Sequence, residues 1–368
     1  MKFRSHFFVA AVVAVAVFAS GALVSEAMMK NQKELVRAAK KEGAVTIINP
    51  LFSDRTAKRM GPAFAKHYGL GSGFKFRNLR KGTGATVSQV RQEMRANKFT
   101  VDVHVVSAPG FFAAAHKRGA YHKLDSAEWN KHFAGVIKKA GQYANYPYVV
   151  TPLAYTFQPV WNSACKGMEK INVTKYADTI AKNVMGQTIA GDITKSFTYT
   201  NTVISLIENG MDMNKYWDAL KATKPVVMFR TEPKMQVLIN CERGLDPWNI
   251  TGRVYQNVIK KPDLAKVLKI GYYEEGQVML GNQAAVLNGA PNPNAGKLLV
   301  EFLLTKEGTD VYVEGEAVYS FRAGYKPPKV VAPYLLDLSK HKLLGLKDWV
   351  SAQKKFKATR GEFIKRFK

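Results

Sequence analysis

Short apolar strands and amphipathic helices alternate strictly from residue 32 to residue 110, and each strand closes on a loop of small polar residues. A helix over 32–42 carries Leu35, Val36 and Ala39 on one face, and Gly43 stops it. Val45-Thr46-Ile47-Ile48 then makes a strand that ends at Asn49-Pro50. A second helix surrounds Phe64 and Tyr68, with Pro62 in its first turn or at a kink. Phe74-Lys75-Phe76 is the next strand, and Gly82-Thr83-Gly84 opens a helix with Val87, Val90 and Met94 on one face. Val101 to Val106 is a third strand, closed by Ser107-Ala108-Pro109-Gly110. Such alternation predicts an α/β fold, a mainly parallel sheet flanked by helices, with ligands held beyond the carboxyl ends of the strands.

A second alternating region follows. Thr188-Ile189-Ala190 reads as a strand ending at Gly191-Asp192, Thr200 to Glu208 as a helix, Val226 to Phe229 as a strand ending at Arg230-Thr231, and Val237-Leu238-Ile239 as another. Between the two regions, 143–161 is rich in Tyr and Pro and reads as extended connection. Two similar sheets facing across a cleft are the natural arrangement. The residues to watch are then the strand ends: Asn49 to Ser53, Lys81 to Gly84 and Ser107 to Pro109 on one side, Gly191-Asp192 and Arg230-Thr231 on the other. The amides of Thr83 and Gly84, at a helix start, suit an anion.

The N-terminus predicts export. Lys2 and Arg4 precede an apolar run from Phe7 to Val24, and Ser25-Glu26-Ala27 supplies small residues where a signal peptidase reads. Cleavage after Ala27 leaves a chain with no later stretch of membrane length. The formal charge is +27, and removal of Lys2, Arg4 and Glu26 leaves +26, an excess that attracts anions. An exported protein rarely meets nucleic acid, so the basic surface is read as a solvated face or as a funnel for an anionic solute. Export also permits a disulfide between Cys165 and Cys241, although spacing alone leaves two buried thiols equally open.

Catalytic motifs are missing. There is no Gly-x-Ser-x-Gly elbow, no phosphate loop and no complete dinucleotide fingerprint. Of the seven histidines, His116, His122 and His132 lie closest, without metal-ligand spacing. His104 sits between Val103 and Val105 on the other face of a strand and is read as structural. No cofactor is expected.

Toward the C-terminus, Asn288-Gly-Ala-Pro-Asn-Pro-Asn-Ala-Gly-Lys-Leu298, running into Phe302-Leu-Leu-Thr-Lys-Glu-Gly308, resembles a stretch typical of the extracellular solute-binding proteins of ABC transporters, in the branch that holds ferric-iron-binding proteins. Glu34 to Gly43, Ala63 to Gly69 and Val101-Asp102-Val103 fit the same pattern, so the likeness spans about 30–325. The resemblance implies a two-lobe periplasmic-binding-protein fold of type II, hinge closure on ligand, and delivery to a membrane permease by a periplasmic monomer. The expected division is lobe one at 28–148 and 275–325 and lobe two at 149–274, with the export signal at 1–27 and a basic helical tail at 326–368 outside the likeness.

Where iron-binding members carry a Tyr-Tyr pair, the matching positions here are Trp248-Asn249, and Tyr272-Tyr273 falls later. Ferric iron wants phenolate or carboxylate oxygens, which Trp and Asn do not offer. The expectation is therefore a small organic anion, carboxylate or phosphonate-like, held by Lys195 and Arg230 with the amides of Thr83 and Gly84. Ser53, Thr83, Ser107, Ser196 and Thr231 supply hydroxyls, and Trp248 a stacking wall. The alternatives are ferric or other metal cargo, and a hydrolase or lyase on the same scaffold.

Overall fold

The computed structural model describes residues 31–368, so the export signal expected at 1–27 lies outside them. Helix α1 (31–42) leads through Gly43, at a left-handed φ of 69°, into β1 (Ala44–Asn49), α2 (Asp54–His67), β2 (Lys75–Arg80), α3 (Thr83–Ala96), β3 (Val103–Val106) and α4 (Pro109–His116). β1 lies between β2 and β3 and pairs parallel with both. Val45, Ile47, Ile48, Val103 and Val106 are fully buried, as strands covered by helices on both faces require. A single-turn π-helix (Trp129–Phe133) and α5 (Ala134–Lys139) precede β4 (Val150–Thr156).

The chain crosses into the second lobe immediately after β4. There β5 (Gln158–Asn162), β6 (Ile189–Gly191), α6 (Phe197–Glu208), α7 (Met213–Ala222), β7 (Val226–Met228), α8 (Thr231–Ile239), β8 (Leu245–Asn249), α9 (Thr251–Lys260), α10 (Leu264–Val267) and β9 (Leu268–Ile270) form two small sheets, β8-β5-β9 and β6-β7, with their helices. β7 and β6 are parallel, and Thr188 bridges parallel to Leu245. β5 runs antiparallel to β8 and β9. The long return strand β10 (Gln277–Val286) re-enters the first sheet antiparallel between β3 and β4. α11 (Pro293–Leu304), α12 (Lys306–Glu316) and β11 (Tyr319–Ser320) complete that lobe.

The strands whose loops are expected to bind are thus parallel within each lobe; β5 and β10, which follow the two crossings, oppose them, while β4 runs with β1 to β3. Because β4 belongs to the first sheet, the first crossing falls between Thr156 and Gln158, later than the expected 148/149 boundary. The second lies between Ile270 and Gln277. Of the two places expected for Pro62 the structure takes the interior one: it sits well inside α2, next to Gly61, where a Cβ would lie 2.8 Å from Phe76. One local expectation is corrected. Val237-Leu238-Ile239 ends α8 instead of forming a strand, with Met235 and Leu238 buried three apart on the helix face.

The Asn-Pro-Asn start of α11 is locked by two acids from earlier elements. Asp102 accepts from the Asn292 amide at 2.6 Å, and Glu42 at the end of α1 accepts from the amides of Asn294 and Ala295 at 3.1 and 2.7 Å. Carboxylates there satisfy open helix-start donors and favour the helix dipole. Cys165 and Cys241 are joined in a disulfide that ties the exit of β5 to the end of α8. His104 is fully buried, stacked 4.4 Å from Phe112.

The C-terminal segment is more than a helical tail. β12 (Leu343–Leu344) pairs with the start of β10, and Trp349 donates to the carbonyl of Gly141 in the first lobe at 2.8 Å. The final helix α13 (Phe356–Phe367) then packs on α6 and α7 of the second, with Phe363 against Trp217 and Arg366 2.7 Å from Asp218.

Candidate functional site in the interlobe cleft

The loop after β2 meets those after β6 and β7, through Gly84 beside Phe197 and Arg80 on Glu232, and local chemistry fixes the loops around it. Asn49 is buried, accepts from the amides of Leu51 and Phe52 at 3.0 and 2.6 Å, and donates to Asn78 of β2 at 2.8 Å, pinning the first loop. At its end Ser53 caps α2, accepting from Thr56 N at 3.3 Å while its hydroxyl and amide donate to Glu316 at 2.8 and 2.6 Å. Ser53 is therefore engaged within the protein.

α3 starts differently. Its N-cap is Gly82, with no side chain to satisfy the first amides, so those of Thr83 and Gly84 stay open. A Cβ on Gly84 would lie 3.6 Å from Phe197, the first residue of α6, so the starts of two helices from opposite lobes meet across the cleft. Ser196 caps α6 by accepting from Tyr199 N at 3.1 Å. Two positive helix ends lying this close together favour an anion nearby.

Phe229, an exposed ring at the lip of the second lobe, gathers the two expected cations. Lys195 Nζ lies 5.7 Å from its centroid and the Arg230 guanidinium 5.2 Å, although they are 35 residues apart in sequence. Thr231 accepts from Arg253 at 3.2 Å and donates to Glu232 at 3.3 Å.

Directly after β3, Ser107 Oγ is buried without a partner among the described residues. Val106 pairs with Gln283, which sets Ser107 opposite Asn282, whose Oδ1 is also buried and unpartnered. Tyr155 of β4 stands near Thr198 and Arg253. Burial pushes its hydroxyl up to about 12 against the hydrogen bond to Thr198 and the Arg253 charge.

Trp248 is not a wall for solute. It is 3% exposed, packed 5.8 Å from Tyr199 and against Gly191, where a Cβ would lie 3.1 Å from the indole. Its carbonyl accepts from Lys234 at 2.8 Å and Tyr199 at 3.0 Å, so the residue is part of the lobe core. Asn249 donates to Asp246 at 2.8 Å. Tyr273 stacks on Tyr176 and donates to Pro247 O. Among the described residues no three His, Cys, Asp or Glu side chains gather as a metal site.

Sequence reasoning missed five charged residues, Arg80, Glu232, Arg253, Arg360 and Lys368. Arg80, at the end of β2, reaches Glu232 in the first turn of α8 at 2.5 Å, and Arg253 of α9 reaches the same oxygen at 2.8 Å. Burial pushes the Glu232 carboxyl up, but Arg253 and Arg80 outweigh it and hold it below the usual carboxylate range. The tail adds Arg360, 5.6 Å over Phe197 and donating to Thr200 at 3.1 Å. Lys368 lies 3.0 Å from Asp192. Only the run of basic residues in the tail hinted at these last contacts.

No family model matches the chain, and no curated protein matches its sequence. Solved structures do match. Iron-bound HitA from Pseudomonas aeruginosa aligns at TM-score 0.68 and 17% identity, over 87% of this chain and 99% of that one. The periplasmic binding protein AfuA from Actinobacillus pleuropneumoniae, with fructose-6-phosphate bound, aligns at 0.69 and 14%, over 88% and 98%. Trichodesmium IdiA (FutA), in complex with iron and citrate, aligns at 0.63 and 14%, over 88% and 99%. At these identities the likeness establishes the fold, that of the two-lobe periplasmic binding proteins.

Proposed function

We propose that this protein is the exported solute-binding component of an ABC importer, which captures a small organic anion between its lobes and delivers it to a membrane permease. The observation that carries this reading is the meeting of two helix starts, at Gly84 and Phe197, beside the Lys195 and Arg230 pair on Phe229. Open amides, and cations with no carboxylate partner among the described residues, make a place where anionic oxygens replace water with little reorganisation. Arg360 over Phe197 adds a third cation to the same edge.

On this reading the role is binding rather than catalysis, carried out in the periplasm by a monomer exported through the signal expected at 1–27. Closure about the two crossings, 156–158 and 270–277, brings the loops of both lobes onto the solute. Calorimetry against a panel of carboxylates, phosphonates and sugar phosphates tests the reading. One of them should bind saturably to the wild type and lose most of its affinity in Lys195→Ala/Arg230→Ala. Equal binding to both proteins would overturn it.

A further inference from the structure

Resting on that reading, we propose that Arg80 and Arg253 form a second charge pair that grips the solute's anionic group alongside Lys195 and Arg230, and that Glu232 is a displaceable internal counter-ion holding their place. One carboxylate oxygen of Glu232 is shared by guanidinium groups from opposite lobes, at 2.5 and 2.8 Å. All three residues stand at strand-end loops: Arg80 closes β2, Glu232 follows the loop after β7, and Arg253 follows β8. This is where a ligand sits in open α/β sheets.

The contrast with Glu316 shows why Glu232 can leave. Glu316 is 2% exposed and accepts from Ser53 N, Ser53 Oγ, Thr56 Oγ1 and Gln256 Nε2, a complete set that anchors α12 to α2 and α9. The Glu232 side chain is 46% exposed, and its second oxygen receives only Thr231 at 3.3 Å. Arg253, in contrast, is 6% exposed and preset by Thr231 and by Gln256 at 2.7 Å. A buried, oriented guanidinium paired with a half-exposed carboxylate is a binding group with a mobile occupant. A carboxylate, phosphonate or phosphate offers two or three oxygens and can satisfy both arginines more fully than the single shared oxygen does. The same contact also draws the lobes together before solute arrives, since Arg80 and Glu232 belong to different lobes.

Two measurements on the mature protein decide this. Small-angle scattering without solute should show Glu232→Gln and Arg80→Ala more expanded than wild type, and 0.5 M salt should expand wild type toward them, because a half-exposed pair is screened. Equilibrium dialysis with inorganic phosphate should show Glu232→Gln binding about 5- to 10-fold tighter than wild type, with that gain abolished in Glu232→Gln/Arg253→Gln. Weaker phosphate binding in Glu232→Gln would make Glu232 a mere orienter of Arg253 and overturn the proposal, as would an unchanged radius in every variant. Expansion in Glu232→Gln while neither phosphate nor any organic anion binds any variant would leave the interlobe contact standing and overturn the anion reading on which the proposal rests.

Discussion

Lys234 Nζ lies 2.7 Å from Asp246 Oδ1, and neither side chain exposes any surface. The ammonium also donates to Tyr199 OH at 2.9 Å and to the Trp248 carbonyl at 2.8 Å, so one buried cation ties α6, α8 and β8 together. These are the elements whose starts and ends build the second lobe's side of the cleft.

Removing one partner strands the other. Lys234→Met should cost about 3–5 kcal/mol of stability, because Asp246 is left charged and buried. Lys234→Met/Asp246→Asn should recover part of the loss, since Asn keeps an acceptor for Trp248 N, now 3.0 Å from Asp246. Urea unfolding of the mature protein gives both values. A single variant as stable as wild type would mean the pair holds nothing.

The disulfide closes a separation of 76 residues within the second lobe. Cys165→Ser/Cys241→Ser should lose about 4 kcal/mol through the regained freedom of the unfolded loop. The same fall should appear in wild type under reductant, and reductant should leave the double variant unchanged.

Stability should also depend on pH through Glu301 of α11. Burial, with Glu128 and Asp125 adding to it, raises its pKa from 4.5 to about 7 against hydrogen bonds from Ser126 and the Glu128 amide. The folded state therefore holds this proton more tightly than the unfolded chain. The contribution is fully favourable below about pH 4.5 and is lost as pH rises through 7. Glu301→Gln should gain on the order of 2 kcal/mol relative to wild type at pH 8 and little at pH 4.5. Thermal unfolding across that range would show a flat difference if Glu301 titrates normally.

Gly252 marks where the lobes touch near the hinge. A Cβ there would sit 2.0 Å from the backbone oxygen of Glu316, which cannot turn aside as a side chain would. Gly252→Ala should destabilise by about 1–3 kcal/mol and enlarge the radius of gyration. Gly361→Ala in α13, with open space around it, should stabilise slightly.

How far the sequence could be read follows from the range of each interaction. The alternation up to Val106 is local, and so the loops at Asn49, Gly82 and Ser107 were found with their helices. Val237-Leu238-Ile239 misled because three apolar residues fit a strand or a buried helix end equally well. Trp248 reads alike as wall or core, and only packing against Gly191 and Tyr199 decides. Arg80 and Glu232 stand 152 residues apart, and Arg360 and Thr200 stand 160 apart. Such pairs exist only once two lobes and a tail have docked, and no periodicity announces them.

Binding should separate the cleft cations from the general charge of +27. Arg230 is exposed beside Phe229, so Arg230→Ala should weaken capture of the solute by about 1–2 kcal/mol, with Arg230→Lys between it and wild type. Lys365, 69% exposed on α13 and paired with Glu362 at 2.6 Å, should change affinity little when replaced by Ala.

The most direct measurement is mass spectrometry of the small molecule released by denaturing the protein purified from its native cells, with metal analysis of the same sample. An organic anion at one per chain in wild type, and depleted in Lys195→Ala/Arg230→Ala, is the predicted result. Stoichiometric iron, or a neutral solute retained equally by both proteins, would contradict the account.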